Sequence, residues 1–284
     1  MTVKITVLSE NTSGTAEGLL AEHGLSLYIE KDEHRILFDT GQASPVLLNN
    51  ANKLGVDLKQ VDAVVISHGH SDHAGGLANF LMLNKRDIPV YVHPLVFEEK
   101  FSIQPGPNNT DILRDTSVRF TRSYLESYGA KFEEAADPRE IFPDVLLTGQ
   151  IPRVIDFENA DTPLRVRRNG ELIHDNVLDE HSIIIRTPKG LILLLGCCHP
   201  GLINTIEYAI QLTGETHFAA IIGGTHLMFH SEALLQQTLE ALNRYDIELI
   251  GTAHCTGSKA NALIRAQFGG RFKEFNVGTV AVLA

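Results

Sequence analysis

Three imidazoles and a carboxylate fall within six residues at His68-Gly69-His70-Ser71-Asp72-His73. Imidazole and carboxylate are ligands suited to zinc, with iron and manganese as alternatives. The split into His68/His70 and Asp72/His73 points to two neighbouring divalent ions rather than one. A histidine-rich loop can also be solvated or cap a helix, but each spacing here fits a metal-binding mechanism. A bound cation would turn water into a metal-bound hydroxide and polarise a phosphoryl or carbonyl oxygen. Asp72, a ligand and an acceptor, is placed to hold the proton of that water. The chain has no Gly-x-Ser-x-Gly elbow and no phosphate loop ending in Gly-Lys-Ser/Thr, and metal-activated water needs neither.

The elements around this loop are legible. Ala63-Val64-Val65-Ile66 reads as a buried strand, and Gly75-Gly76 opens a helical pattern, so the ligands sit on a strand-to-helix loop. The His-x-His-x-Asp-His pattern, with Leu37-Phe38-Asp39-Thr40-Gly41 before it, resembles the metallo-β-lactamase superfamily. Four further segments are similar to one branch of it: Thr148-Gly149-Gln150-Ile151-Pro152-Arg153, Gly196-Cys197-Cys198-His199-Pro200-Gly201, Gly223-Gly224-Thr225-His226-Leu227 and His254-Cys255-Thr256-Gly257. That branch is named for 7,8-dihydropterin-6-methyl-4-(β-D-ribofuranosyl)aminobenzene-5'-phosphate synthase of methanopterin biosynthesis. The resemblance spans nearly the whole chain and implies a four-layer αββα sandwich.

The resemblance also implies the remaining ligands. His254 matches the last metal histidine and would complete a set with Asp72 and His73. His199, after the apolar run 191–195, is the first choice to join His68 and His70, and His181, before another strand, is the second. The superfamily commonly ends this strand with Gly-Asp, whose carboxylate bridges two metals, whereas this chain has Gly196-Cys197-Cys198-His199. Cys197 is either a thiolate ligand or a small apolar filler at a buried strand end. His226 is expected to contact substrate or protonate a leaving group, with a packing role as the alternative. His93 reads as a packing or surface residue. Arg153, Arg167 and Arg168 are candidate contacts to an anionic substrate, and a solvated charged hairpin is the other reading of Arg167-Arg168.

Strands are expected at 3–8, 25–30, 35–39, 90–92, 145–147, 182–186, 191–195, 218–222, 247–251 and 277–282. Helices are expected at 43–54, 77–85, 201–212, 231–245 and 259–268. In the helix over 231–245, Leu234, Leu235, Thr238, Leu239 and Leu242 form one stripe. The reading is one domain over 1–284 with an insertion or cap at about 95–179.

The formal net charge of −11 opposes general nucleic-acid binding, and no apolar stretch is long enough for a membrane span. Three cysteines clustered in the last third argue against a disulfide scaffold and for a reducing, cytoplasmic setting. The expected activity is metal-dependent hydrolysis of a small, anionic, phosphorylated metabolite. The alternatives are a synthase joining a dihydropterin-methyl unit to an aminobenzene ribofuranosyl phosphate, and a non-catalytic binding or regulatory protein. A small molecule is the expected partner, and the oligomeric state is not legible.

Overall fold

The computed structural model describes residues 2–42, 44–158 and 163–283; Ala43, where the first helix was expected to begin, lies outside them. Two sheets pack face to face. One has seven strands in the order Val280–Leu283, Val3–Ser9, Ser26–Lys31, His34–Phe38, Ala63–Val65, Ile88–Val92, Ala130–Glu134. The path of the other runs Phe272–Glu274, Ile250–Ala253, His217–Gly224, Gly190–Leu195, Ile183–Thr187, Val145–Leu147, Arg139–Phe142. Alternate residues of these strands, such as Ile5, Ile29, Ile183 and Leu194, fill the space between the sheets. Opposite residues such as Leu37, Val64, Leu193 and Ile221 pack under helices on the outer faces. The result is the αββα sandwich.

Helix Glu232–Leu242 shows how sequence dictates placement. The Ser231 side chain accepts from the Leu234 backbone N–H at the start. Leu235, Thr238, Leu239 and Leu242 are buried and Leu234 half-buried, so the apolar stripe faces the second sheet.

Three expectations need correction. The strand expected at 247–251 is divided into Asp246–Ile247 and Ile250–Ala253, both parallel to His217–Gly224 and in one register with it. The last strand is Val280–Leu283, and Phe272–Glu274 is an edge strand whose charged residues hid it. The stretch 95–179 is not one cap. Its strand Ala130–Glu134, preceded by helix Arg122–Ser127, extends the first sheet, while Arg139–Phe142 extends the second beside Val145–Leu147, the strand expected there. Only Glu99–Pro105, Asp111–Asp115, Leu164–Arg168 and Glu171–His174 stand apart, as a four-stranded sheet roofing the site. No described helix is long and apolar enough to cross a membrane.

Candidate metal centre

Strands Gly190–Leu195, His217–Gly224 and Ile250–Ala253 run parallel, so the residues following them open onto one edge of the second sheet. That edge presents Cys197, His199, His226 and His254 to the loop after Ala63–Val65. Asp39, Cys198, His226 and His254 all have positive φ, between 50° and 65°. Non-glycine residues rarely adopt this conformation, and here it turns strand ends sharply at the centre.

One set of donors is His68, His70 and His199, whose candidate ligand atoms lie within 4.8 Å of one another. The His68 and His199 rings are 4.9 Å apart and the His70 and His199 rings 5.1 Å. The second set surrounds Asp72 Oδ2, which lies 3.3 Å from His254 Nε2 and 3.9 Å from His73 Nε2. His73 Nε2 is itself 3.3 Å from His254 Nε2. Cys197 Sγ sits between the sets, 3.2 Å from His73 Nε2 and grouped also with His68, His199 and His254. His181, the second choice for the first set, belongs to no such group among the described residues. Its backbone N–H bonds to the Ser67 carbonyl, which keeps it behind the loop. His93 is buried, with Nδ1 accepting from the Leu95 N–H, and packs.

These donors fit a divalent metal. His70 Nε2 and His199 Nε2 are buried and have no hydrogen-bond partner among the described residues. Outer groups engage the other nitrogen of three rings and leave Nε2 facing the centre: Asp39 Oδ2 is 2.6 Å from His73 Nδ1, Asn11 Oδ1 is 2.8 Å from His254 Nδ1, and Ser67 Oγ is 2.9 Å from His68 Nδ1. Burial holds His68 and His199 well below the usual imidazole range, and His70 and His254 at about 4. Neutral imidazole is the ligating form. Burial alone would raise Asp72, yet His73 and hydrogen bonds from His23 and His254 keep it well below the usual carboxylate range. Burial pushes the Cys197 thiol up, so only a strong local cation would deprotonate it.

His73 differs. Burial disfavours its cation, but the charges of Asp39 and Asp72 outweigh that and lift it to about 9. The pairing therefore stabilises the metal-free fold fully below about pH 6.5, the value of an unpaired imidazole, and the contribution is lost as pH rises through about 9. Metal uptake at pH 7.5 must displace that proton. Calorimetric titration in buffers of different ionisation enthalpy should show about one proton released per chain that His73→Ala does not release. Replacing Asp39 by asparagine should lower metal affinity roughly 10–100-fold, read by competition with a chromophoric chelator.

The loops are anchored from outside. The Glu180 carboxylate accepts backbone N–H groups of Cys197, Cys198 and His199, and burial pushes its pKa up to about 7 against the pull of those donors. Asp179 Oδ2 accepts from the Gly69 N–H at 2.7 Å, and Asp179 Oδ1 binds buried Lys100 Nζ at 2.7 Å. Lys100 also binds Asp175 at 3.1 Å, tying the roof sheet to the metal loop.

Above the donors lies a cavity of about 400 Å³, lined by His70, Asp72, His199, His226 and His254 below and by roof residues including Ser102, Arg114 and Leu164. His226 lies between His199 and Phe229, tilted against both, with ring centroids 4.2 and 4.7 Å away. Burial holds His226 at about 3, which keeps the ring neutral beside the cavity. The arginine assignments change more. Arg167 pairs with Glu99 and Arg168 forms a two-pronged bond to Glu98, both away from the cavity, because cross-strand partners consume their charge. Arg153 donates to the Asn176 carbonyl at 2.6 Å and lines a small recess behind His199 and His226. Sequence reading missed His23, whose Nε2 lies 3.2 Å from Asp72 Oδ2, and Arg114 and Phe229 at the cavity wall. It quoted Asp39 only within a motif. A carboxylate ending the strand beside the central one was the available signal.

A model of the metallo-beta-lactamase superfamily matches residues 20–254. The chain belongs to that superfamily. It is 32% identical over 285 residues to the 7,8-dihydropterin-6-methyl-4-(beta-D-ribofuranosyl)-aminobenzene-5'-phosphate synthase of Methanocaldococcus jannaschii, covering 98% of this chain and 96% of the relative. Among solved structures it is similar to a metal-dependent hydrolase of the beta-lactamase superfamily, with 28% identity, TM-score 0.82 and 98% of both chains covered. Zinc-bound PqqB from Methylobacterium extorquens, 12% identical, aligns over 98% of this chain and 99% of its own with TM-score 0.56 and shares the fold.

Proposed function

We propose that the chain is a divalent-metal-dependent hydrolase of a small anionic metabolite carrying a phosphoester or related bond. The observation that carries the reading is the pair of donor sets on either side of Cys197, at the floor of a roofed cavity. His68, His70 and His199 would hold one ion; Asp72, His73 and His254 would hold the other. Imidazoles beside a thiol favour zinc. When bound, such ions supply an activated water and polarise the bond under attack. The chain's own groups do the rest. Asp72, ionised, accepts a hydrogen bond from the attacking water and orients it, and the proton that this water gives up would pass to solvent. His226, neutral, meets the leaving-group oxygen through a hydrogen bond. The roof sheet limits solvent access to the reacting bond.

The full-length similarity to the pterin synthase supports a second reading, in which the same floor binds a diphosphate leaving group and an arylamine replaces water. The zinc-loaded chain should be given aryl phosphomonoesters, phosphodiesters and a dihydropterin-methyl diphosphate, each with and without the arylamine ribofuranosyl phosphate. Phosphate or diphosphate release without the arylamine supports hydrolysis. Release and a joined product only with it support the synthase. A chain that takes up no metal and turns over nothing favours a binding or regulatory role.

A further inference from the structure

The cavity has an uneven lining. Among its described lining residues Arg114 is the one arginine or lysine and Asp72 the one carboxylate. Strand pairing fixes which way the roof faces. Lys100 and Val166, both buried, are partners across neighbouring strands, so they share one face. Ser102 lies two residues beyond Lys100 on the same face, and its partners are Leu164 on one side and Arg114 on the other. Arg114 thus belongs to the inward face of the roof. No acidic side chain among the described residues lies within ion-pair distance of Arg114, whereas Arg167 and Arg168 of the same sheet are both paired. In a chain of net charge −11, an unpaired guanidinium kept over a metal floor is a place for an anion.

The second feature is a ladder of rings. It climbs from His199 through His226 to Phe229, which is 61% exposed although it lines the cavity. A phenyl ring standing free beside a fixed imidazole offers a stacking surface for a flat ligand.

We infer that the cavity selects an aromatic or heteroaromatic substrate carrying a second anionic group remote from the reacting phosphate: the metal floor takes the reacting group, Phe229 the ring and Arg114 the remote anion. The assignment rests on the metal-dependent reading above and names the substrate class of that same site. A charge-assisted hydrogen bond and an aromatic stack are each strong enough to change affinity about tenfold.

The test is calorimetric binding to the zinc-loaded chain of three probes: 4-carboxyphenyl phosphate, phenyl phosphate and a short alkyl phosphate. The expected order is 4-carboxyphenyl over phenyl by about tenfold, and phenyl over alkyl by a similar factor. Arg114→Gln should erase the first preference and leave the second; Phe229→Ala should erase the second. Both side chains project from exposed positions, so neither change removes core packing. Equal affinities for all three probes, or a carboxylate preference that survives Arg114→Gln, overturn the assignment. Because binding is read without turnover, this failure is distinct from failure of the hydrolase reading, which metal content and product release judge.

Discussion

His70→Ala is expected to take about one metal ion per chain from the protein and to lower metal-dependent turnover by roughly a thousandfold or more. Loss of an ion forfeits several kcal/mol of transition-state charge stabilisation, and each 1.36 kcal/mol is a factor of ten. The fold itself should survive. His70 is buried and its Nε2 has no partner among the described residues, so truncation removes an unsatisfied polar atom along with some packing and the 2.9 Å contact of Nδ1 with His68 Nε2. Elemental mass spectrometry, circular dichroism and turnover on the same preparation check all three statements. Unchanged turnover at reduced metal content would remove the first donor set from the chemistry.

Lys100→Met is expected to carry the largest cost in stability. Lys100 is 1% exposed and binds the buried carboxylates of Asp175 and Asp179. Removing the cation leaves two buried negative charges facing each other, a loss of about 3–5 kcal/mol. Burial opposes the Lys100 charge, but Asp179 and Asp175 raise its pKa above the ordinary value, in keeping with a full ion pair. Since Asp179 also holds the Gly69 N–H, the damage should spread to the donors on either side, His68 and His70. Urea denaturation gives the stability loss, and a metal titration shows whether the first set weakens more than the second. Lys100→Met combined with Asp175→Asn and Asp179→Asn removes the opposed charges and should recover much of the stability. Failure to recover any would mean that the methionine disturbs packing rather than charge.

The floor was legible in sequence for a physical reason. His68, His70, Asp72 and His73 share one loop, so local pattern marks them, whereas His199 and His254, each following an apolar strand, were assigned through the resemblance. Arg114 and Phe229 carry no such local mark. What distinguishes Arg114 from Arg167 and Arg168 is which glutamates lie across the sheet, and Arg167 faces Glu99 only through a pairing between strands some sixty residues apart. The 95–179 stretch was misjudged because Ala130–Glu134 buries only Ala130 fully and shows charge elsewhere, as an edge strand does. His226 was rightly seen as a residue at the sheet edge, but its protonation state depends on burial and on His230, neither of which spacing reveals.

The roof is made from two stretches of chain, Glu99–Pro105 with Asp111–Asp115 and Leu164–Arg168 with Glu171–His174, and among the described residues its strands pair only with one another. Residues can therefore be gained, lost or exchanged there without altering the hydrogen-bonded register of the strands that carry the metal donors. That independence ends at Lys100, which binds Asp179, and at Thr116, whose carbonyl accepts the Ser71 N–H of the metal loop. A change in the roof therefore alters what the cavity admits while the donors beneath it keep their places.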